Sequence, residues 1–381
     1  MSIPDLKTQL AELIALPSIS SASPRHDMGN LAVIERLAQW LETLGFAVRI
    51  LPLPDNPNKA NLLATLGTGP GGLVLAGHTD TVPCDEQLWD SSPFTLSERD
   101  NRFYGLGATD MKGFFPIAIE AARTFLDTPL KQPLMILATA DEESSMAGAR
   151  ALASQGFPKA RYAVIGEPTG LRPIRMHKGI MMEAVRLQGR SGHSSDPALG
   201  RSALDAMHDV MTELVNLRKA LQSRYQHSGF TLPTPTLNLG CIHGGDNPNR
   251  ICGQCELQFD LRGVPGMHND ELRQQIRQRL QPIADLHQVN FELVDLMPGI
   301  EPFEQDADSD LVKAAEQLSG HQADAVAFGT EAGFMQQLGM ETIVMGPGSI
   351  DVAHQPNEYL AHEQIVPAVE LLRGLIKRFC L

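Results

Sequence analysis

Residues 73–83 contain an unbroken apolar run, Leu73–Ala76, which is followed at once by polar and ionisable residues. A short apolar run that ends at a glycine is typical of a strand buried on both faces of a parallel sheet. In open α/β sheets, ligands bind just beyond the carboxyl ends of the strands. The sequence therefore predicts such a sheet, with a functional site that begins at His78.

His78 and Asp80 follow this run and are two residues apart. In an extended chain, residues with this spacing point to the same side. A carboxylate beside a histidine is the usual way to orient a metal-binding imidazole, so we expect Asp80 to be the partner of His78. These two residues alone leave open a buried histidine that is merely hydrogen-bonded to Asp80.

Further apolar runs alternate with segments of helical periodicity, which is typical of a mostly parallel, doubly wound α/β sheet covered on both faces. We predict strands at 46–53, 61–66, 73–77, 134–140, 162–165 and 342–345. We predict helices at 4–16, 28–44, 111–126, 308–318 and 363–379.

The pattern changes near residue 180, where apolar and polar residues begin to alternate. The predicted order is a strand (182–188), a helix (201–223), two strands (235–242 and 251–261), a helix (269–283) and a strand (288–296). This order is the split βαβ unit of ferredoxin-like α+β domains. Because 381 residues are too many for one ordinary domain, we predict a catalytic domain at 1–179 and 293–381 and an inserted domain at 180–292.

Two weak motifs do not support a site. Gly67–Gly72 matches the G-x-G-x-x-G pattern, but a strand follows it instead of the helix that binds a pyrophosphate, so we expect a hairpin turn. Cys252 and Cys255, with Cys241, provide too few thiolates for a structural zinc site, and Cys255 lies on the apolar face of a predicted strand.

Composition excludes several classes of protein. The formal net charge of −14 disfavours nucleic acid and anionic membranes as partners. No apolar stretch approaches the length needed to span a membrane, and the first residues do not resemble a signal peptide. The few cysteines, odd in number, indicate a reducing cytoplasm instead of a disulfide framework.

Several acidic residues and a second histidine also lie just after predicted strands or in glycine-containing turns: Asp110, Glu142, Glu143, Glu167 and His354. Each could be an ordinary loop residue, or in the case of Asp110 a helix cap. Together they are expected to converge at one edge of the sheet. Two histidines with three or four carboxylates suit zinc, cobalt or manganese. They are too many for one catalytic zinc, so a two-metal site bridged by a carboxylate fits better.

The same segments, in the same order, resemble the dinuclear zinc amidohydrolases of the aminoacylase/carboxypeptidase superfamily over essentially the whole chain. The segments that carry this resemblance are Gly77–Pro83, Asp110–Gly113, Asp141–Glu143, Gly166–Thr169, Ser191–Ser195 and His354–Glu358.

The resemblance implies a role for each position. Asp110 would bridge two divalent metal ions, with zinc preferred and cobalt as the alternative. His78 and Glu167 would complete one metal site, and Glu143 and His354 the other. Glu142 would be the general base, a distinction from Glu143 that the residues themselves do not make. Asp80 would be the partner of His78.

The resemblance also assigns residues in the inserted domain. His193 would stabilise the oxyanion, and this domain would close over the site and pair two subunits as a homodimer. Asn249, Arg250 and Arg262 are candidates for binding the substrate carboxylate, although each could equally be a solvated residue at a strand end. The implied substrate is a small N-acetylated amino acid. Related deacylases, dipeptidases, a non-catalytic amino-acid-binding protein and a dimer with purely structural metal ions remain alternatives.

Overall fold

The structure is a computed structural model that describes residues 3–381. The helices of this range are α1 (Leu6–Ile14), α2 (Leu31–Thr43), α3 (Phe114–Arg123), α4 (Ala147–Gln155), α5 (Ala203–Arg224), α6 (Asn269–His287), α7 (Asp310–Ser319), α8 (Ala332–Gln337) and α9 (His362–Cys380). The strands are β1 (Ala47–Leu53), β2 (Asn56–Leu66), β3 (Leu73–His78), β4 (Ser97–Arg99), β5 (Arg102–Tyr104), β6 (Leu134–Thr139), β7 (Tyr162–Pro168), β8 (Ile174–His177), β9 (Met181–Gln188), β10 (Thr236–Gly244), β11 (Gln254–Arg262), β12 (Asn290–Asp295), β13 (Phe303–Glu304), β14 (Asp324–Val326), β15 (Glu341–Gly346) and β16 (Tyr359–Ala361).

The chain divides into two compact units. The first comprises Met1–Arg175, Gln305–Asp324 and Thr330–Leu381, and the second comprises Met176–Glu304 and Ala325–Gly329. Relative to the predicted insertion at 180–292, the second unit begins earlier, ends later and adds a short segment near residue 327. The added segments contain β13, whose residues pair with His177 and Met176 in the antiparallel sense.

The sheet of the first unit has the order β1-β2-β6-β3-β7-β15-β8. The strands β6, β3, β7 and β15 are parallel neighbours, whereas β1, β2 and β8 pair in the antiparallel sense. Leu73 and Leu75 join the core formed with α1, α2, α3, α7 and α9, while Val74 and Ala76 are equally buried. Because alternate residues of a strand face opposite sides, β3 is covered on both faces, and the predicted α/β class is confirmed.

The expectation of a hairpin turn at Gly67–Gly72 is wrong. The strands β2 and β3 on either side of this turn do not pair with each other, because β6 lies between them. The segment is a longer-range connection in which Gly67, Gly69, Gly71 and Gly72 all have positive φ. A strand does follow it, so the objection to a dinucleotide-binding loop stands.

The second unit is a ferredoxin-like α+β fold. Its antiparallel sheet has the order β10-β11-β9-β12, and α5 and α6 pack against each other and on this sheet. Cys252 and Cys255 lie in its hydrophobic core, and their thiols are free, as is that of Cys241. The predicted split βαβ order is therefore confirmed.

Several helices begin and end as their sequences indicate. Ser202 caps α5 by accepting the backbone N–H of Asp205 at 3.1 Å, and Ser309 caps α7 in the same way. Gly320 then ends α7 with φ of 72°, a conformation that glycine adopts without strain.

Within the described residues, no helix is both long and apolar enough to cross a membrane.

Candidate metal centre

The carboxyl ends of the central parallel strands bring several ionisable side chains to one edge of the sheet. His78 is the last residue of β3 and is in register with Thr139, the last residue of β6. Glu167 lies at the end of β7, which pairs with β3 on its other side. Parallel register therefore explains why residues that are distant in the sequence meet here.

Asp110 lies between the two histidines of the predicted site. Its Oδ1 is 3.0 Å from Nε2 of His78, and its Oδ2 is 3.3 Å from Nε2 of His354. One carboxylate thus presents a different oxygen to each imidazole. This is the arrangement that a carboxylate shared between two metal ions requires.

Three glutamates complete the cluster around these histidines. Glu143 Oε1 is 3.0 Å from Nε2 of His354, and Glu167 Oε1 is 3.9 Å from Nε2 of His78. Ligand atoms of His78, Asp110 and Glu143 all lie within 4.8 Å of one another. The same holds for His78, Glu142 and Glu167, so distance alone does not separate Glu142 from the metal-binding residues.

The contact between His78 and Asp80 differs from the expectation. Nδ1 of His78 hydrogen-bonds the backbone carbonyl oxygen of Asp80 at 3.0 Å, while the nearest carboxylate oxygen is 3.8 Å away. The carboxylate instead accepts the backbone N–H groups of Glu142 and Glu143, at 3.2 and 3.1 Å. Asp80 therefore orients the imidazole through its backbone and the glutamate loop through its side chain.

Burial dominates the electrostatics of the glutamates. It raises the pKa of Glu142 and of Glu167 well above the usual value, and the neighbouring carboxylates add to the effect. The pKa of Glu143 is raised for the same reasons, although its contact with His354 opposes them. Their ionised forms are therefore unfavourable together unless positive charge is added to the cluster.

The pKa values of the two histidines are raised, and that of Asp110 is lowered. Hydrogen bonds to Asp110 and Glu143 raise the pKa of His354 to about 10. Burial lowers the pKa of His78, but Asp110 and Glu167 outweigh this effect and raise it well above its usual value. Burial raises the pKa of Asp110, but the two histidines overcome this and lower it. A set of imidazoles and carboxylates that competes for protons in this way fits divalent cations, which would replace those protons.

Sequence reasoning missed a buried lysine beside the glutamate loop. Lys59 is 4% exposed, and its Nζ lies 2.6 Å from Asp141 and 2.7 Å from Asp27. Asp141 directly precedes Glu142 and has a φ of 60°. Ser20 also donates its hydroxyl to Asp141. No spacing rule links Lys59 to Asp141, because β2 and the end of β6 meet only in the folded sheet.

Glu331 is a buried carboxylate for which no sequence pattern predicted a role. It is 1% exposed and accepts a hydrogen bond of 2.9 Å from the hydroxyl of Thr139. Burial raises its pKa to about 7, partly offset by the charge of His78.

The predicted residues of the inserted domain lie in the second unit. His193 and Arg250 form an isolated antiparallel bridge, and Ser194 donates its backbone N–H to the carbonyl of Asn249 at 3.1 Å. His193, Asn249 and Arg250 are exposed. The structure thus brings these three residues together along two paired segments.

The two candidate arginines already have carboxylate partners within the second unit. Arg250 contacts Asp246, and Arg262 Nε contacts both oxygens of Asp260, at 2.9 and 3.0 Å. Either arginine would have to share or leave its partner in order to bind a substrate carboxylate.

Comparisons with known proteins give matches over most of the chain. A model of the peptidase family M20/M25/M40 matches residues 74–378. An acetylornithine deacetylase from Klebsiella pneumoniae (strain 342) is 50% identical over 368 residues, which are 97% of this chain and 96% of that protein. An acetylornithine deacetylase from Edwardsiella ictaluri (strain 93-146) is 51% identical over the same shares of both chains.

Solved structures share the fold. A tripeptidase from Staphylococcus aureus matches with a TM-score of 0.72 and 18% identity, over 98% of this chain and 97% of that one. A dinuclear metal-binding M20 peptidase from Bacillus subtilis matches with a TM-score of 0.68 and 16% identity, over 98% of both chains. At these identities the likeness concerns the fold.

Proposed function

The chain belongs to the peptidase family M20/M25/M40, and on this premise we propose that it hydrolyses Nα-acetyl-L-ornithine to L-ornithine and acetate. The similarity to acetylornithine deacetylases along almost the whole chain supports this substrate. The observation that most directly supports metal-dependent hydrolysis is the position of Asp110, whose two carboxylate oxygens face His78 and His354. The step would belong to arginine biosynthesis in the cytoplasm.

We propose that the cluster holds two divalent cations, zinc by preference and cobalt as the alternative. Asp110 would bridge them, with His78 and Glu167 on one side and Glu143 and His354 on the other. When bound, such cations lower the pKa of a water molecule towards neutrality and polarise the acetyl carbonyl. The imidazole and carboxylate donors fit these metals, and the crowding of buried carboxylates supports a site for positive charge.

Glu142 is the proposed general base and acid. Its carboxylate would take a proton from the attacking water and then deliver it to the amide nitrogen, so that ornithine leaves as a free amine. Burial raises the pKa of Glu142 above its usual value, and this direction favours a group that must both accept and return a proton. The two hydrogen bonds to Asp80 fix the backbone from which Glu142 projects.

The second unit is the proposed lid and dimerisation domain of a homodimer. His193 would stabilise the oxyanion that forms on the acetyl group, a contribution typically worth about 3–4 kcal/mol per donor. The residues proposed to bind the substrate carboxylate are Asn249, Arg250 and Arg262. The pairing of the segments that carry His193 and Arg250 supports a common role for these residues.

A substrate panel tests this proposal. Metal-loaded protein is assayed with Nα-acetylornithine, N-succinyl-diaminopimelate, other N-acyl amino acids and dipeptides, and kcat/KM is compared. We expect the highest value for Nα-acetylornithine. A higher value for the succinylated substrate or for dipeptides would replace the proposed substrate. A folded, metal-loaded protein that hydrolyses none of them would favour a non-catalytic binding protein.

A further inference from the structure

Glu358 is a buried carboxylate that the proposed reaction does not use. It is 1% exposed and directly precedes Tyr359, the first residue of β16. Glu358 is also the last residue of the motif that begins at His354, and neither the spacing nor the family resemblance gave it a role. Its contacts are therefore the guide to what it does.

The side chain of Glu358 binds the loop that carries Asp110. Its Oε1 accepts the backbone N–H of Thr109 at 2.8 Å and that of Asp110 itself at 2.9 Å. Its Oε2 accepts the backbone N–H of Gly107 at 3.0 Å. Gly107 has a φ of 81°, a conformation that suits glycine and that presents this N–H to the carboxylate.

Backbone contacts fix the same two segments beside each other. The carbonyl of Glu358 accepts the N–H of Gly105 at 3.1 Å, and Tyr359 pairs with Tyr104 where β16 meets β5. The hydroxyl of Thr109 donates to the carbonyl of Tyr359. The loop before Asp110 and the segment after His354 thus form one hydrogen-bonded unit, with the Glu358 carboxylate at its centre.

We infer that Glu358 is a positioning residue for the metal centre, which sets Asp110 and His354 at the separation that metal binding requires. Asp110 Oδ2 and His354 Nε2 are 3.3 Å apart, yet they belong to segments that are remote in the sequence. Glu358 is hydrogen-bonded to the backbone of Asp110 and lies a few residues after His354 in the chain. This inference rests on the proposed metal centre and does not depend on which substrate is cleaved.

These contacts need an acceptor oxygen on each side of the Glu358 carboxyl group, since Oε1 accepts two backbone N–H groups and Oε2 accepts a third. A glutamine would place an NH₂ group against one or more backbone N–H donors, and so would leave buried donors without an acceptor. An aspartate would keep the charge, but it is shorter by one methylene and would withdraw the acceptor oxygens from the loop. The two variants therefore separate the loss of an acceptor oxygen from the loss of side-chain length.

The test measures zinc affinity instead of activity. Metal-free wild-type, Glu358→Gln and Glu358→Asp proteins are titrated with zinc in competition with a chromophoric chelator. Circular dichroism and thermal unfolding of the metal-free proteins report the fold separately. Glu183→Gln is the control, because it removes an equally buried carboxylate from the second unit.

We expect both Glu358 variants to lose about 10- to 100-fold in zinc affinity, as is typical when a group that orients metal-binding residues is removed. The control is expected to bind zinc as the wild type does. Wild-type affinity in a folded Glu358→Asp protein would overturn the inference, even if Glu358→Gln fails to fold, and would leave the proposed function standing. A wild-type protein that binds no zinc would overturn both.

Discussion

Oδ1 of Asp80 accepts the backbone N–H of Glu142 at 3.2 Å, so the loop that carries the proposed general base is fixed by a side chain from the end of the neighbouring strand. Oδ2 of the same carboxylate accepts the N–H of Glu143 at 3.1 Å. Asp80 thus uses both oxygens to orient two adjacent glutamates with different proposed roles. The relative positions of base and metal ligand therefore depend on one carboxylate.

Replacement of Asp80 by asparagine should lower kcat by about 10- to 100-fold while the bound zinc remains. An amide has one acceptor oxygen, so one of the two backbone N–H groups would face an NH₂ group instead. Steady-state kinetics and metal analysis of Asp80→Asn check this. Asp85→Asn, at an exposed position of the following loop, should behave as the wild type. Unchanged turnover in Asp80→Asn would show that the loop does not need this carboxylate.

Glu142→Gln should retain two zinc ions per chain and lose about 10²- to 10⁴-fold in kcat, since a glutamine cannot accept the proton from water. The paired variant Glu143→Gln should instead lose metal. Metal analysis is essential here, because ligand atoms of Glu142 also lie within 4.8 Å of those of His78 and Glu167. Loss of zinc from Glu142→Gln would make Glu142 a metal ligand and remove it as the base.

Lys59→Met should destabilise the protein by about 3–5 kcal/mol, because Asp141 and Asp27 would lose the buried cation that pairs with both. Urea unfolding of the metal-free protein measures this difference. The control is Lys7→Met, which removes an exposed ion pair with Glu98 and should change stability by less than about 1 kcal/mol. Equal stabilities of the two variants would mean that the Lys59 contacts contribute no more than an exposed ion pair does.

The second unit should contribute a pH-dependent term to stability through Glu183. Burial raises the pKa of Glu183 to about 7 from 4.5, and Asp295 adds to this, while Arg273 opposes it. A carboxyl whose pKa is raised in the folded state binds its proton more tightly there. Its stabilising contribution is therefore complete below about pH 4.5 and is lost as the pH rises through about 7.

Thermal unfolding of the wild type and of Glu183→Gln across this pH range tests the sign. The difference in unfolding temperature between the two proteins should change steadily in favour of the variant as the pH increases. A difference that stays constant, or that changes in favour of the wild type, would contradict a raised pKa of Glu183 in the folded protein.

Much of the fold could be predicted from the sequence because apolar runs mark the buried strands directly. The run Leu73–Ala76 and the alternation in β11 each indicated the correct element and the faces that it buries. The short strands β4, β5 and β16 gave no such signal, because three residues are too few to show a period. The helix α4 was also missed, since its sequence, AGARALASQ, has few large apolar residues.

The site was predictable in its residues but not in its contacts. Position after a strand identified His78, Glu167 and the glutamate pair. The hydrogen bonds of Asp80, Lys59 and Glu358 join segments that meet only through the strand order and the return of the chain after β15. Such contacts depend on the tertiary structure, and no local pattern encodes them.

The release of free ornithine from Nα-acetylornithine tests most directly whether the protein is a metal-dependent deacetylase. The protein is assayed as metal-loaded, after chelation, and after zinc or cobalt is restored, with circular dichroism to show that it stays folded. We expect release that chelation abolishes and that the added metal restores. Release that persists in the chelated protein, or no release from the folded and reloaded protein, would contradict it.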